Sequence, residues 1–498
     1  MANLEDLIEV TKLIEEKNSN KAPIKELLFE KDSLYEKLFD LIAKGKISTD
    51  GEAIEEIYGS LNVKSKYYKL KSRLYDKLLD ALFLLIQTPA SSPRSYSEAY
   101  PLVYKQHSAI KILVGNFCRR SAIRLSEKLI KKSIKFGFTD LTLDLARTLR
   151  IHYSSIDVNE KKSKLYDEVI SNNIKILTRE IEAEKYYCEL SKHFTNSFEN
   201  DQKQLKKAER YSQVLLRRIN GNSSYREALF SFYVIIMSKE LIGATDEVIA
   251  LSKKALDFFH PAFLSKSVKF GFQLKIIESR IKKTDYDLAL KEINGLYSVT
   301  PINSINWFEL HYLKFTLYNH LGEYALSRKV YVLAISSEYF PSMPEYVKEK
   351  WKINEAIINY LISLGKVPGE AKFKLNKFIN SIPIYSKDKK GANICVLILQ
   401  ILFFLKRRDY GGIIDRSEAL RMYSGRYLKD KDAVRSKYFL RMLLLLPAVN
   451  FEKDRAAHRA KKYVEKLEKT PLPNTPQSLE LEFIPYLTLW QFVLESLD

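Results

Sequence analysis

Arginine side chains near the carboxyl end of the chain have the chemistry to hold a charged ligand. A guanidinium group binds a carboxylate or a phosphate through two parallel hydrogen bonds, which the ammonium group of lysine cannot form. Tyrosines are interleaved with these arginines, so the region could also hold an acidic peptide tail. The sequence therefore predicts a candidate peptide- or anion-binding region that contains Arg416, Arg421, Arg426, Arg435 and Arg441.

A second basic cluster occupies residues 105–135, which contain nine Lys or Arg and a single acidic residue, Glu127. This charge balance favours an anionic partner. A solvated outer face of a helix is the alternative explanation of the same charges. The candidate anion-binding arginines of this cluster are Arg119, Arg120 and Arg124.

Residues 49–85 have the pattern of a helix-turn-helix unit, because a short helix that ends at Gly59 is followed by a longer basic helix. This stretch resembles the DNA-reading unit of bacterial response-type regulators. The arginine, asparagine and glutamine residues that read base edges are not grouped here, so contact with phosphates is predicted rather than sequence-specific readout. A packing domain of four helices with a solvated lysine face is the alternative. The candidate DNA-contacting residues are Lys64, Lys66, Lys69 and Arg73.

Motifs of catalysis and of cofactor binding are missing from the sequence. It contains no glycine-rich phosphate loop, no HExxH motif and no GxSxG motif. Seven histidines are scattered along the chain, and the three cysteines are far apart without a CxxC pair. We therefore expect a protein that is not an enzyme, with no cofactor and no metal. The isolated cysteines favour a reducing, cytoplasmic compartment.

The elements that would position these residues are helices, and two stretches show the same helix pair twice. Thr284-Asp285-Tyr286 and Gly322-Glu323-Tyr324 lie 38 residues apart, each between two apolar helical stretches. Small residues, among them Ala289, allow the second helix of a pair to approach the first. This pattern resembles the tetratricopeptide-repeat family, although Ser327 stands where that family prefers alanine. The resemblance implies an α-solenoid that binds peptides or proteins on a concave face.

The chain has 498 residues, and its breaks every 15 to 25 residues predict an all-α fold. We predict an N-terminal helical domain at 1–87, a Pro- and Ser-rich linker at 88–98, a helical-repeat solenoid at 99–470 and a C-terminal capping helix at 471–498. The most apolar run, residues 394–405, is too short to span a membrane. The Lys-, Ile- and Tyr-rich composition has a bacterial character.

The formal net charge of +20 favours an anionic partner, namely nucleic acid, an acidic protein or an anionic membrane surface. A lysine-rich solvated surface is the alternative explanation. Residues 1–100 carry 15 Lys and Arg against 17 Asp and Glu, so the positive excess lies downstream of them. We expect an adaptor or scaffold that binds an acidic partner protein or peptide in a basic groove of the solenoid. The alternative is a nucleic-acid-binding regulator that contacts DNA through residues 52–85, and a third possibility is an accessory subunit of a larger assembly. The sequence does not specify the oligomeric state.

Overall fold

A computed structural model describes residues 3–18, 24–60, 63–86, 93, 95–196, 202–260, 263–370, 392–427, 434–470, 472 and 482–497. These residues form 22 α-helices, and no β-strand occurs among them. The prediction of an all-α fold is therefore confirmed. None of the described helices is long and apolar enough to cross a membrane.

The chain divides into two compact units, Met1–Asn173 and Ile174–Asp498. In the first unit, α1–α5 share a hydrophobic core of their own, and α6, α7 and α8 pack in succession. Its helices are α1 (Leu4–Asn18), α2 (Ile24–Leu28), α3 (Leu34–Ala43), α4 (Asp50–Tyr58), α5 (Lys64–Leu85), α6 (Tyr96–Gly115), α7 (Arg119–Phe136), α8 (Thr139–Ser155) and the beginning of α9 (Glu160–Asn196).

The second unit continues α9 with a series of helices, most of which pack against the next one along the chain. Its largest core includes the fully buried side chains of Trp351 and Tyr360. The helices are α10 (Gln202–Arg218), α11 (Tyr225–Leu241), α12 (Thr245–Phe258), α13 (Lys266–Lys282), α14 (Tyr286–Tyr297), α15 (Ile305–His320), α16 (Tyr324–Ile335), α17 (Glu345–Ser363), α18 (Ala392–Lys406), α19 (Tyr410–Tyr427), α20 (Val434–Leu445), α21 (Lys453–Lys469) and α22 (Tyr486–Glu495).

Part of the predicted linker at 88–98 is helical. Residues 88–92 and 94 lie outside the described residues, but α6 begins at Tyr96. It begins there because the Ser95 hydroxyl accepts a hydrogen bond from the backbone N–H of Glu98, which caps the helix. Serine caps of the same kind start α3, α11, α13 and α15.

Eight of the described α-helices end in one type of turn. In each, a residue with a left-handed backbone follows the helix, and the next residue donates a hydrogen bond to the carbonyl group five positions back. Thr284 and Gly322 occupy the same place in this turn, so the equivalence of the two sequence stretches is confirmed at the level of the backbone. The eight left-handed residues are Gly45, Phe117, Gly137, Gly243, Thr284, Gly322, Gly365 and Arg408.

Thr284→Gly should raise the free energy of unfolding by about 1 kcal/mol, because a β-branched residue is disfavoured at positive φ. Thr284 has φ 63° and an exposed side chain, so its removal costs little packing. The matched control is Gly322→Thr, which should lower the free energy of unfolding, because it places a β-branched residue at a φ of 76°. A Cβ at Gly322 meets no atom within 4 Å, so a steric clash does not contribute. Denaturant titration measures both. Equal effects of the two substitutions would contradict the backbone explanation.

The last helix, α22, is shorter than the sequence suggests. The sequence predicts the capping helix at 471–498, but residues 482–485 are not helical and the described helix starts at Tyr486. Residues 471 and 473–481 lie outside the described residues. Its buried face packs on α20 and α21. The ring of Phe492 also contacts that of Tyr324 on α16, with centroids 6.0 Å apart. The C-terminal helix therefore contacts one of the two repeated helix pairs.

Candidate functional site

A groove in the second unit lies between the end of α14 and the facing sides of α15 and α16. On α15, the lining residues recur at spacings of three and four, which places them on one face of the helix. The groove encloses about 420 Å³, a volume within the range of ligand sites. Its lining residues are Tyr297, Trp307, His311, Lys314, Tyr318, Leu326, Lys329, Val330 and Leu333.

Aromatic rings surround one of the two ammonium groups in this groove. The Lys314 Nζ atom lies 5.0 Å from the ring centroid of Tyr297 and 5.8 Å from that of Tyr318. It also donates a hydrogen bond of 3.1 Å to the side-chain oxygen of Asn294. Burial lowers the pKa of Lys314. A partly desolvated cation beside aromatic faces attracts an anion more strongly than a cation in open water.

His311 forms the floor of the groove. Its Nδ1–H donates to the carbonyl oxygen of Trp307 at 2.8 Å, and its ring lies against the rings of Trp307 and Tyr297, with centroids 3.7 Å and 4.8 Å away. Burial lowers the pKa of His311 to about 4, and the charge of Lys314 acts in the same direction. His311 is therefore neutral at pH 7.

Two kinds of polar group in the groove, one hydroxyl and two ammonium groups, lack a hydrogen-bond or ion-pair partner of the usual kind among the described residues. The Tyr297 hydroxyl is buried and has no hydrogen-bond partner there. In addition, no described carboxylate forms an ion pair with Lys314 or with Lys329, which is exposed at the rim. Buried polar groups are normally hydrogen-bonded. The groove thus presents two cations and one unused hydroxyl among apolar walls, which suits a ligand with an anionic group next to an apolar one.

A second cavity, of about 470 Å³, lies on the other side of α16. It shares Lys329 and Leu333 with the first groove. Val332, Val367 and Pro368 give it mostly apolar walls, and Leu333 is 54% exposed. A ligand longer than one cavity can therefore reach both by crossing α16.

Arg435 occupies a different environment from the one expected of a peptide-binding residue. It is buried, and its guanidinium group donates to both carboxylate oxygens of Glu482, at 2.8 Å and 2.6 Å. The same group donates to the backbone oxygens of Leu467 and Thr470. Four of its five N–H groups thus bond to buried or backbone acceptors, and the structure places Arg435 in the interior rather than in an open groove.

The other predicted arginines of this region are not brought together with Arg435. Arg421 on α19 and Arg441 on α20 are exposed, and Arg416 is half-buried. The guanidinium carbon of Arg441 lies 6.0 Å from the ring centroid of Tyr463. The side chain of Arg426 lies outside the described residues.

In the first unit, the predicted DNA-contacting residues Lys64, Lys66, Lys69 and Arg73 are all exposed on α5. Lys71 is an exception within the same basic stretch, since it is buried and its Nζ lies 3.0 Å from Asp50. DNA contact through α5 stays a prediction. The predicted anion-binding residues Arg119, Arg120 and Arg124 are exposed on α7.

The sequence reasoning missed the groove residues, although a signal for them was present. Trp307, His311, Lys314 and Tyr318 follow one another at helical spacing, so aromatic and polar residues share one face of α15. The same spacing also fits the apolar packing of a repeat helix. Lys314 and Lys329 belong to no long cluster of basic residues, so the distribution of charge along the sequence does not single them out.

No protein-family model, curated protein or solved structure matches this chain. The groove must therefore be interpreted from its own chemistry. Within the described ranges, no group of three or more His, Cys, Asp or Glu side chains is placed to hold a metal ion.

Proposed function

We propose that this chain is a non-enzymatic adaptor that binds an acidic, partly apolar segment of a partner protein in the α14–α16 groove. The observation that carries the proposal is the pair of ammonium groups, on Lys314 and Lys329, which face an aromatic-lined groove without a described carboxylate partner. Carboxylates of the segment would lie beside the two lysines. Its apolar side chains would pack against Trp307 and Val330, and the Tyr297 hydroxyl could donate to a ligand oxygen.

The dimensions of the site favour an extended segment over a single small molecule. The two cavities lie on either side of α16 and share Lys329, so alternating acidic and apolar side chains could occupy them in turn. Helical-repeat proteins commonly bind extended segments in this way, because stacked helix pairs expose a long continuous surface. The positive net charge of the chain would speed the encounter with an acidic partner.

Peptide affinity tests this proposal directly. The probe is a labelled eight-residue peptide of alternating Glu and Leu, compared with the same peptide carrying Gln in place of Glu. The Glu peptide should bind at least about tenfold more tightly, which corresponds to about 1.4 kcal/mol. Lys314→Met together with Lys329→Met should remove this preference, because methionine keeps the apolar stem and deletes the charge.

A matched control is Lys291→Met, which deletes an exposed charge on α14 outside the groove. It should leave the preference for the Glu peptide intact. Equal binding of the two peptides by the unmodified protein, or equal losses in the control and in the groove variant, would refute the proposed site.

A further inference from the structure

The exposed face of α7, in the first unit, carries a row of cations. Their spacings of three and four residues place them within one narrow strip of the helix. With a rise of 1.5 Å per residue, the row is about 22 Å long. The five residues, all of them exposed, are Arg120, Arg124, Lys128, Lys131 and Lys135.

These cations have no ion-pair partner among the described residues, because the neighbouring acids are engaged with other groups. Glu127 accepts hydrogen bonds from Lys162 at 2.8 Å and from Tyr153 at 2.7 Å. Asp144 is paired with His107 and Lys111. Like charges four residues apart repel one another on a helix. The row therefore costs α7 some stability unless an anion lies along it.

Phe117 stands at the amino end of this row and is 95% exposed. Its φ of 63° lies in the left-handed region, which is unfavourable for a bulky side chain, whereas Gly137 occupies the same place in the following turn. The chain thus keeps a large aromatic ring in solvent where glycine would fit without strain. A large aromatic ring held in solvent at this position is available to stack on a ligand.

We propose that α7 binds a single-stranded nucleic acid, with its phosphates along the five cations and an unpaired base stacked on Phe117. Proteins that bind single strands combine a positive track for the backbone with aromatic rings for the bases. The aromatic ring favours a single strand over a duplex, whose bases are stacked on one another. Ile134, 54% exposed, is the one exposed large apolar residue of α7 beside the strip. A helix that lies on a membrane presents a whole apolar face to the lipid.

The salt dependence of binding tests the row of cations. The probe is a labelled 20-nucleotide oligothymidylate, and the full-length protein is used. Five phosphate contacts predict that the affinity falls about 100-fold between 50 and 200 mM salt. Arg124→Gln together with Lys131→Gln should weaken binding and lower the slope of log affinity against log salt by about 1.4. The control, Arg147→Gln with Lys161→Gln, makes the same change in net charge at exposed positions on α8 and α9.

Phe117→Gly distinguishes a loss of binding from a loss of folding, because it is expected to change affinity and stability in opposite directions. It should raise the thermal midpoint, because glycine relieves the backbone strain, and it should weaken oligothymidylate binding at least about fivefold, because a stacked base is lost. Loss of affinity in a variant of higher stability cannot be attributed to unfolding. Equal affinity for a 20-base-pair duplex, binding to phosphatidylserine vesicles without binding to the oligonucleotide, or an equal effect of the control would overturn the proposal.

Discussion

Arg435→Met should lower the free energy of unfolding by about 3 to 5 kcal/mol, because it leaves the carboxylate of Glu482 buried without its counterion. Glu482 is 1% exposed, and among the described residues its carboxylate keeps only the backbone N–H of Tyr486 as a hydrogen-bond donor once Arg435 is removed. The substitution also removes a donor from the backbone oxygens of Leu467 and Thr470, although the oxygen of Leu467 keeps the backbone N–H of Thr470. Chemical denaturation followed by circular dichroism measures the effect.

The ion pair is important because the hydrogen bonds of its two residues connect four segments of the second unit. Glu482 precedes α22, Arg435 lies on α20, and the two backbone acceptors lie at the end of α21. The backbone oxygen of Glu482 also accepts a hydrogen bond of 2.7 Å from Nε2 of His320 on α15. Loss of the arginine should therefore loosen α22 and increase its hydrogen exchange first.

The matched control is Lys366→Met, since Lys366 forms an exposed ion pair of 3.1 Å with Glu495 on the same helix, α22. Exposed pairs contribute about 1 kcal/mol or less. The double variant Arg435→Met with Glu482→Leu should be more stable than Arg435→Met alone, because no unpaired charge stays buried. If Arg435→Met costs no more than Lys366→Met, the buried pair does not hold α22 in place.

Local patterns predict the helices and the repeated turn, because caps, left-handed turns and helical spacing each depend on a few adjacent residues. Thr284 was matched to Gly322 from the sequence, and the backbone agrees. The role of Arg435 was not predictable in this way. Its partner Glu482 lies 47 residues further along the chain, and nothing in the sequence near Arg435 distinguishes it from the exposed Arg441.

The groove, like the role of Arg435, depends on residues that are distant in the sequence and is not predicted by local patterns. Each of its helices carries an ordinary apolar pattern, and the site arises only where α14, α15 and α16 meet. The separation of Lys314 and Lys329 from the described carboxylates depends on the packing of three helices, which periodicity alone does not predict. By contrast, the exposure of Arg119, Arg120 and Arg124 follows directly from the strongly amphipathic sequence of α7.

Acidification should destabilise the second unit through His311. Burial holds the pKa of His311 at about 4 in the folded chain, compared with about 6.5 in an unfolded chain. The unfolded state therefore binds more protons below pH 6.5, and stability falls as the pH decreases from about 6.5 towards 4. By pH 4.5 this single group should remove about 2 kcal/mol. Burial also lowers the pKa of His320, which adds to the loss.

His311→Phe isolates this contribution, because phenylalanine retains the ring that packs on Trp307 but cannot take up a proton. The variant should lose about 2 kcal/mol less than the unmodified protein between pH 7.5 and pH 4.5, as measured by denaturant titration at each pH. Tyr297→Phe is the control, since it alters the same wall of the groove without changing a group that titrates in this range. An unchanged pH dependence in His311→Phe would mean that the imidazole is protonated without cost in the folded chain. The groove would then have to open to water beside Lys314, which conflicts with the burial of His311 at 3% exposure.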